Sequence, residues 1–327
     1  MSDWLLGVDV GASGSRLAVV PFDGGVPRWP AARTLAGDRL SVGTAGSTGA
    51  QVALDLVARA CAEMGPDAAT RIRGVAAGIA GLWTNVADPA SYAPRLRHLV
   101  PGARVALAPD MVTAHLGALG TGGAVLAAGT GAIALGTDLA TRWQRVDGWG
   151  YLVGDLGSGA WIGTRGLQVA AAAADGRDPA GAALHAAVSA RLGPVTAWPA
   201  AIYHRADRAG VLAELAPLVE QCAGAGDAAS LAILRAAAGH LADTLLAAFV
   251  DGVPPVAALV GGLVHEGGLV RELVAVEVAT RRPDVELRPA RGAPLDGAIR
   301  LAALVAGGAA LAGAPVVTAP DDTEGAG

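Results

Sequence analysis

The stretch LLGVDVGASGSRLAVVPF, residues 5–22, sets two short runs rich in Val and Leu on either side of GASGS. Apolar runs of this length bounded by Gly and Ser read as strands, and the residues between them as a tight turn. The same arrangement returns at GAVLAAGTGAIALG, residues 123–136, as strand, Gly-Thr-Gly turn and strand. Further strands are expected at RIRGVAAGI (71–79), ARVALAP (103–109) and PVAALV (255–260). Helical periodicity marks residues 48–64, a long section from about 160 to 251, and closing helices near 266–280 and 294–308. Strands alternating with helices predict an α/β fold, and two strand-turn-strand units, one opening each half, suggest a duplicated domain facing itself across a central cleft.

A chain of 327 residues is long enough for two domains, each with its own core. With 53% hydrophobic residues, 16% charged and a net charge of -5, it is neither a disordered chain nor a basic nucleic-acid binder. The longest apolar candidate, residues 298–319, is interrupted by Arg300, several glycines and Pro315, and so makes a poor membrane span. The start MSDWLLGVDV carries no basic segment and no small-residue cleavage site, so the expected location is the cytoplasm, with no nucleic-acid or membrane partner. Cys61 and Cys222 stand alone, and the six histidines show no metal-ligand spacing.

Glycine turns between strands leave backbone N–H groups uncovered, and such groups can hold phosphate oxygens with no side chain in the way. The turn at 11–15 is not G-x-G-x-x-G and leads into a strand rather than a helix, which disfavours a dinucleotide site of the Rossmann type. No G-x-x-x-x-G-K-[ST] is present either. What remains is a phosphate grip made of two strand turns, one from each half.

DVGASGS (9–15), the aspartate of APDMVTAHLGAL (108–119), AAGTGAIALG (127–136), GWGYLVGDLGSGAWIG (148–163) and LVGGLV (259–264) together resemble, in order and spacing, the BadF/BadG/BcrA/BcrD ATPase family and the N-acetylglucosamine kinases within it. PLDGAIRLAAL (294–304) is similar to that family's closing helix. The resemblance implies a two-domain actin-like ATPase fold, of the ribonuclease H-like kind, with ATP and Mg2+ as cofactors and an amino sugar as substrate. It divides the chain into an N-terminal domain, 1–112, onto which the closing helix 294–312 packs back, a C-terminal domain, 113–293, and a disordered tail, 316–327. It further implies a homodimer.

On the same ground Gly11 and Ser13 would contact phosphate, Asp9 would hold Mg2+ through water, and Gly129, Thr130 and Gly131 would cradle phosphates from the other domain. Gly261 and Gly262 match the adenosine motif, and Ala213 lies in a segment similar to one beside adenine. Gly81, Gly148, Trp149 and Asp155 fall on sugar-contacting positions, with Asp38 in the place of an asparagine.

The residues carry part of this by themselves. Asp110 follows an apolar strand at its carboxyl end, where open α/β sheets bind ligands, and a carboxylate there can take the proton of a sugar hydroxyl. It could equally cap the helix that begins beside it. Asp155, set among apolar residues on a glycine loop, would be costly to bury without a partner, and a carboxylate can accept from two vicinal hydroxyls. Ser158 is expected as a helix N-cap and Trp161 as a packing residue.

Two positions depart from the family pattern. Where G-D-E-G-S is usual, residues 154–158 read G-D-L-G-S, so the acid at Leu156 is missing or supplied elsewhere. An aspartate at 38 would suit a protonated amine. The expected function is therefore an ATP-dependent kinase acting on the 6-hydroxyl of an amino sugar, N-acetylglucosamine first and glucosamine as the alternative. A dehydratase-activating ATPase needs cluster-binding cysteines that two isolated thiols do not offer, and a silent sugar sensor would ordinarily carry a DNA-binding module.

Overall fold

The computed structural model describes residues 2–11, 14–43, 46–309 and 313–319. These form two compact units. The first takes in the chain up to Gly122, the segment Thr137–Trp143 and the chain from Pro289 on; the second holds Gly123–Gly136 and Gln144–Arg288.

In the first unit, β1 (Asp3–Gly11), β2 (Gly14–Asp23), β3 (Val26–Pro27) and β4 (Arg33–Gly37) precede a small pair, β5 (Val42–Gly43) and β6 (Gly46–Ser47). Then come α1 (Gly49–Met64), α2 (Pro66–Ala69), β7 (Ile72–Ile79), α3 (Leu82–Asn85), α4 (Tyr92–Leu99), β8 (Arg104–Pro109) and α5 (Asp110–Ala118). β1 pairs antiparallel with β2 and parallel with β7, and β7 runs parallel to β8. Parallel neighbours are buried on both faces, which is why these strands are almost wholly Val, Leu, Ile, Ala and Gly.

One face of this sheet packs on α1 and α4 through Leu6, Val8, Val10, Leu54, Val57 and Leu96, all buried. The other face takes α13 (Pro294–Ala306), which packs on α5, β1 and β7. Gly297 of α13 lies so close to α5 that a Cβ there would stand 2.6 Å from the Gly117 nitrogen and would run into the carbonyl of Thr113. Glycine at these two positions lets the helices touch backbone to backbone.

The first unit thus runs to Gly122 and keeps α5 entire, whereas a division at 112/113 would cut that helix after its third residue. A second difference concerns the tail. Val317–Thr318 form β14, antiparallel to β8, so the disordered stretch expected from 316 does not begin there; residues 310–312 and 320–327 lie outside the described ones.

The second unit is built on a five-stranded sheet in the order β11 (Trp143–Asp147), β10 (Ala132–Thr137), β9 (Gly123–Ala128), β12 (Val256–Val260), β13 (Glu286–Arg288). β9, β12 and β13 are parallel. The long helical section resolves into α6 (Gly159–Ala174), α7 (Ala182–Leu192), α8 (Trp198–Tyr203), α9 (Arg208–Ala213), α10 (Ala216–Gly224) and α11 (Ala228–Leu246), with α12 (Leu269–Arg281) after β12. Ser158, Asp207 and Asp227 cap α6, α9 and α11 by accepting main-chain N–H groups of the first turn. The core gathers Leu126, Ile162, Leu184, Leu234, Leu241 and Val274 between sheet and helices.

Candidate functional site

Each unit collects its expected site residues at one end of its sheet. In the first unit that end is where β1, β7 and β8 finish. Asp9, two residues before the end of β1, stands in register with Arg16 of β2 and Gly78 of β7. Pro109 closes β8 opposite Ile79, and the chain turns directly into α5.

Asp110 is the first residue of α5, not its cap: Pro109 occupies the cap position. The Asp110 Oδ1 accepts the Met111 N–H at 3.0 Å, and the Thr113 hydroxyl donates to the Asp110 carbonyl at 2.9 Å. Every residue of α5 after Asp110 is buried, so the carboxylate rides on a fixed element. The first turn of a helix favours a negative charge, and a carboxylate there is a group that can accept a proton.

Asp9 and Asp110 feel each other. Burial pushes the Asp9 carboxyl up to about 6, the Asp110 charge adds to the rise, and Arg16 opposes it. Two like charges held together at a strand end are the arrangement a hard cation relieves, and carboxylate oxygens are the donors Mg2+ takes while keeping several waters. Among the described residues no group of three or more His, Cys, Asp or Glu is placed to hold a metal ion.

Gly11 ends β1 opposite Gly14; Ser13 lies outside the described residues. The Ala80 N–H donates to the Val10 carbonyl at 2.9 Å, which carries Gly81, in the left-handed region at φ +66, beside the end of β1. Asp38 follows β4, whose last residue pairs with Ser15; the Ser15 hydroxyl donates to the Asp38 carbonyl at 2.6 Å, and the Asp38 side chain is exposed. Asp9, Gly11, Asp38, Gly81 and Asp110 therefore share this end.

In the second unit the centre is the turn 129–131 between β9 and β10. The Gly129 N–H donates to the Gly131 carbonyl at 2.9 Å. The start of α6 docks on the turn, Gly159 N–H to the Gly129 carbonyl at 2.8 Å and Ala160 N–H to the Thr130 carbonyl at 3.1 Å, while Thr130 is exposed. Ala213, at the end of α9, lies 3.2 Å from where a Cβ of Gly159 would stand. Gly261, one residue past β12, approaches the Ala128 carbonyl so closely that no side chain fits, and Gly262 follows it. The turn, Ala213, Gly261 and Gly262 are thus assembled at the carboxyl end of parallel strands, where α/β sheets bind ligands.

Asp155 lies against the same turn: a Cβ on Gly131 would be 2.6 Å from its Oδ2. It is 8% exposed and adopts φ +55, rare for a residue with a side chain. Burial and the Asp147 charge hold its carboxyl above the ordinary 3.8, against the N–H groups of Gly150 and Ala132 and the Arg145 charge, which pull it down.

A carboxyl whose folded value is raised adds stability below its unfolded value and loses it as pH rises through the raised one. The melting temperature of wild type relative to Asp155→Asn is therefore expected to fall as pH rises from below the ordinary aspartate value of about 3.9 through the raised one. Paired thermal melts across that range check the sign.

Gly148 donates to the Ala132 carbonyl at 3.0 Å, and Trp149, 61% exposed, lies under the Arg145 guanidinium at 4.2 Å. Trp161 is half-buried against the core, edge-on to His240. Sequence reasoning passed over Asp147 and Arg145. Their only signal was an acid directly ahead of the Gly-Trp-Gly run, with an arginine two residues before it.

Residues 6–297 match the model of the BadF/BadG/BcrA/BcrD ATPase family. Among solved structures, a candidate N-acetylglucosamine kinase from Chromobacterium violaceum is 28% identical, with a TM-score of 0.67, covering 91% of this chain and 98% of its own. A second candidate N-acetylglucosamine kinase, from Porphyromonas gingivalis, is 19% identical with a TM-score of 0.63 over 90% and 97%. A ROK family glucokinase from Streptomyces griseus, in complex with glucose and AMPPNP, is 19% identical with a TM-score of 0.51 over 91% and 99%. No protein of curated function matches the chain. The two-domain α/β fold is that of the actin-like sugar kinases. Among the described residues no helix is long and apolar enough to cross a membrane.

Proposed function

Because the chain belongs to the BadF/BadG/BcrA/BcrD ATPase family, we propose that it is an ATP-dependent kinase that phosphorylates the 6-hydroxyl of an amino sugar, N-acetylglucosamine in the first place. The observation that carries this reading is Asp110: a carboxylate on the first turn of a buried helix, electrostatically coupled to a second carboxylate, Asp9, at the end of the sheet. The 28% identical Chromobacterium protein, named as a candidate for the same reaction, supports the substrate class.

In this reading Asp110 accepts the proton of the sugar 6-hydroxyl as its oxygen bonds to the γ-phosphorus, and the bond from that phosphorus to the β-phosphate oxygen breaks to release ADP. Positioning dominates such a transfer, so the demands on the chain are few. The turn 129–131 and Gly11 would hold phosphate oxygens, Gly261, Gly262 and Ala213 would receive the adenosine, and Gly148, Trp149, Gly81, Asp38 and Asp155 would contact the sugar. Mg2+, held through Asp9 with Asp110 nearby, would neutralise phosphate charge.

Asp38 offers a charge where an amide would be neutral, which favours glucosamine as the alternative substrate. An ADP-release assay across N-acetylglucosamine, glucosamine, N-acetylmannosamine and glucose tests the reading. ADP release dependent on an amino sugar is the expected result; release indifferent to every sugar would overturn it.

A further inference from the structure

The carboxylate of Asp147 is turned inward on its own loop. Its Oδ1 accepts the Asp155 N–H at 2.8 Å and its Oδ2 the Leu156 N–H at 3.2 Å, eight and nine residues further on. Asp147 reaches them from a left-handed backbone, φ +61, and Asp155 answers with φ +55. Two side-chain-bearing residues in this region within one loop require the surrounding contacts to hold them there.

Arg145 supplies the second brace. Its Nη2 donates to the Gly148 carbonyl at 2.7 Å and its Nε to the Asp147 carbonyl at 3.1 Å, while its guanidinium covers the Trp149 ring. The loop from 147 to 156 is thereby tied at both ends, although Leu152 and Val153 between them are 80% and 81% exposed. The middle of the loop turns on itself, the Val153 and Gly154 N–H groups donating to the Gly150 carbonyl at 3.1 and 2.8 Å, and the Asp147 carboxylate joins its start to Asp155 and Leu156.

We propose that Asp147, braced by Arg145, is the positioning residue that holds Asp155 in sugar-binding geometry. This rests on the reading of Asp155 as a sugar contact. Both Asp147 oxygens are engaged by main chain, whereas the Asp155 carboxylate, whose Oδ1 takes the Gly150 N–H at 3.4 Å, keeps lone pairs for sugar hydroxyls. A displacement of that carboxylate by about 1 Å is enough to lose most of what it contributes.

The test uses Asp147→Gly, which tolerates φ +61 but deletes both acceptors, and Asp147→Asn, which keeps one. The expected result is a sugar KM raised about tenfold or more in Asp147→Gly and by less in Asp147→Asn, with the KM for ATP and the melting temperature near wild type. A purely structural role would instead lower the melting temperature and move both KM values together, and that pattern, or an unchanged sugar KM, overturns the proposal.

Amide hydrogen exchange separates this proposal from the kinase reading. If wild type turns over no sugar, the kinase reading fails; faster exchange at Asp155 and Leu156 in Asp147→Gly then still supports the tie, and unchanged exchange refutes it.

Discussion

Asp110→Asn is expected to lower kcat by roughly a hundred- to ten-thousandfold, the range for a lost general base, while leaving the KM values for ATP and sugar near wild type. The substitution keeps the shape of the side chain and keeps an oxygen for the Met111 N–H, which Oδ1 accepts at 3.0 Å, so the start of α5 should hold. What it removes is the charge that can take a proton. It also removes one of the causes that push the Asp9 carboxyl up to about 6, leaving burial as the main one. A variant with full kcat would show that Asp110 is there to start a helix. A variant with unchanged kcat and a raised sugar KM would make it a binding group instead.

Gly297→Val is expected to destabilise the fold by roughly 3 kcal/mol or more, as overpacking of a tight core contact does, and to lower the melting temperature by several degrees. Any Cβ at 297 points at the Thr113 carbonyl and the Gly117 nitrogen of α5, and backbone cannot swing aside as a flexible side chain can. Either α13 lifts from α5 or α5 moves. In the second case Asp110, at the head of α5, moves with it, so activity should fall further than the loss of folded protein explains. Melting curves of wild type and variant, with kcat measured well below the transition, check both parts. An unchanged melting temperature would mean the two helices do not meet as closely as described.

The elements legible in the sequence were those whose pattern is local. The Val- and Leu-rich runs around GASGS and Gly-Thr-Gly became β1 with β2 and β9 with β10, and residues 48–64 became α1, starting at Gly49. β11 was missed because Trp143–Asp147 is half-buried along its whole length at the edge of its sheet, so polar and apolar residues do not alternate. The breaks between α6 and α11 were hidden by alanine, which sits equally well on a buried or an exposed face and so blurs the period.

Within the site, the acids were visible as isolated carboxylates beside turns, but their settings were not. Asp110, expected as the catalytic carboxylate with a cap as the lesser reading, stands one residue inside the helix, because Pro109, with its fixed φ, takes the cap position. Asp147 was invisible because its partners are main-chain N–H groups eight and nine residues away, reached only through a left-handed backbone that the letter D does not announce.

The claim that this chain moves the γ-phosphoryl group of ATP onto a sugar is tested most directly by identifying the product. Incubation with ATP, Mg2+ and N-acetylglucosamine, followed by 31P NMR and mass analysis, should give the sugar 6-phosphate in step with ADP, and none of it at comparable times with Asp110→Asn. Inorganic phosphate appearing with ADP while the sugar stays unmodified would contradict the account.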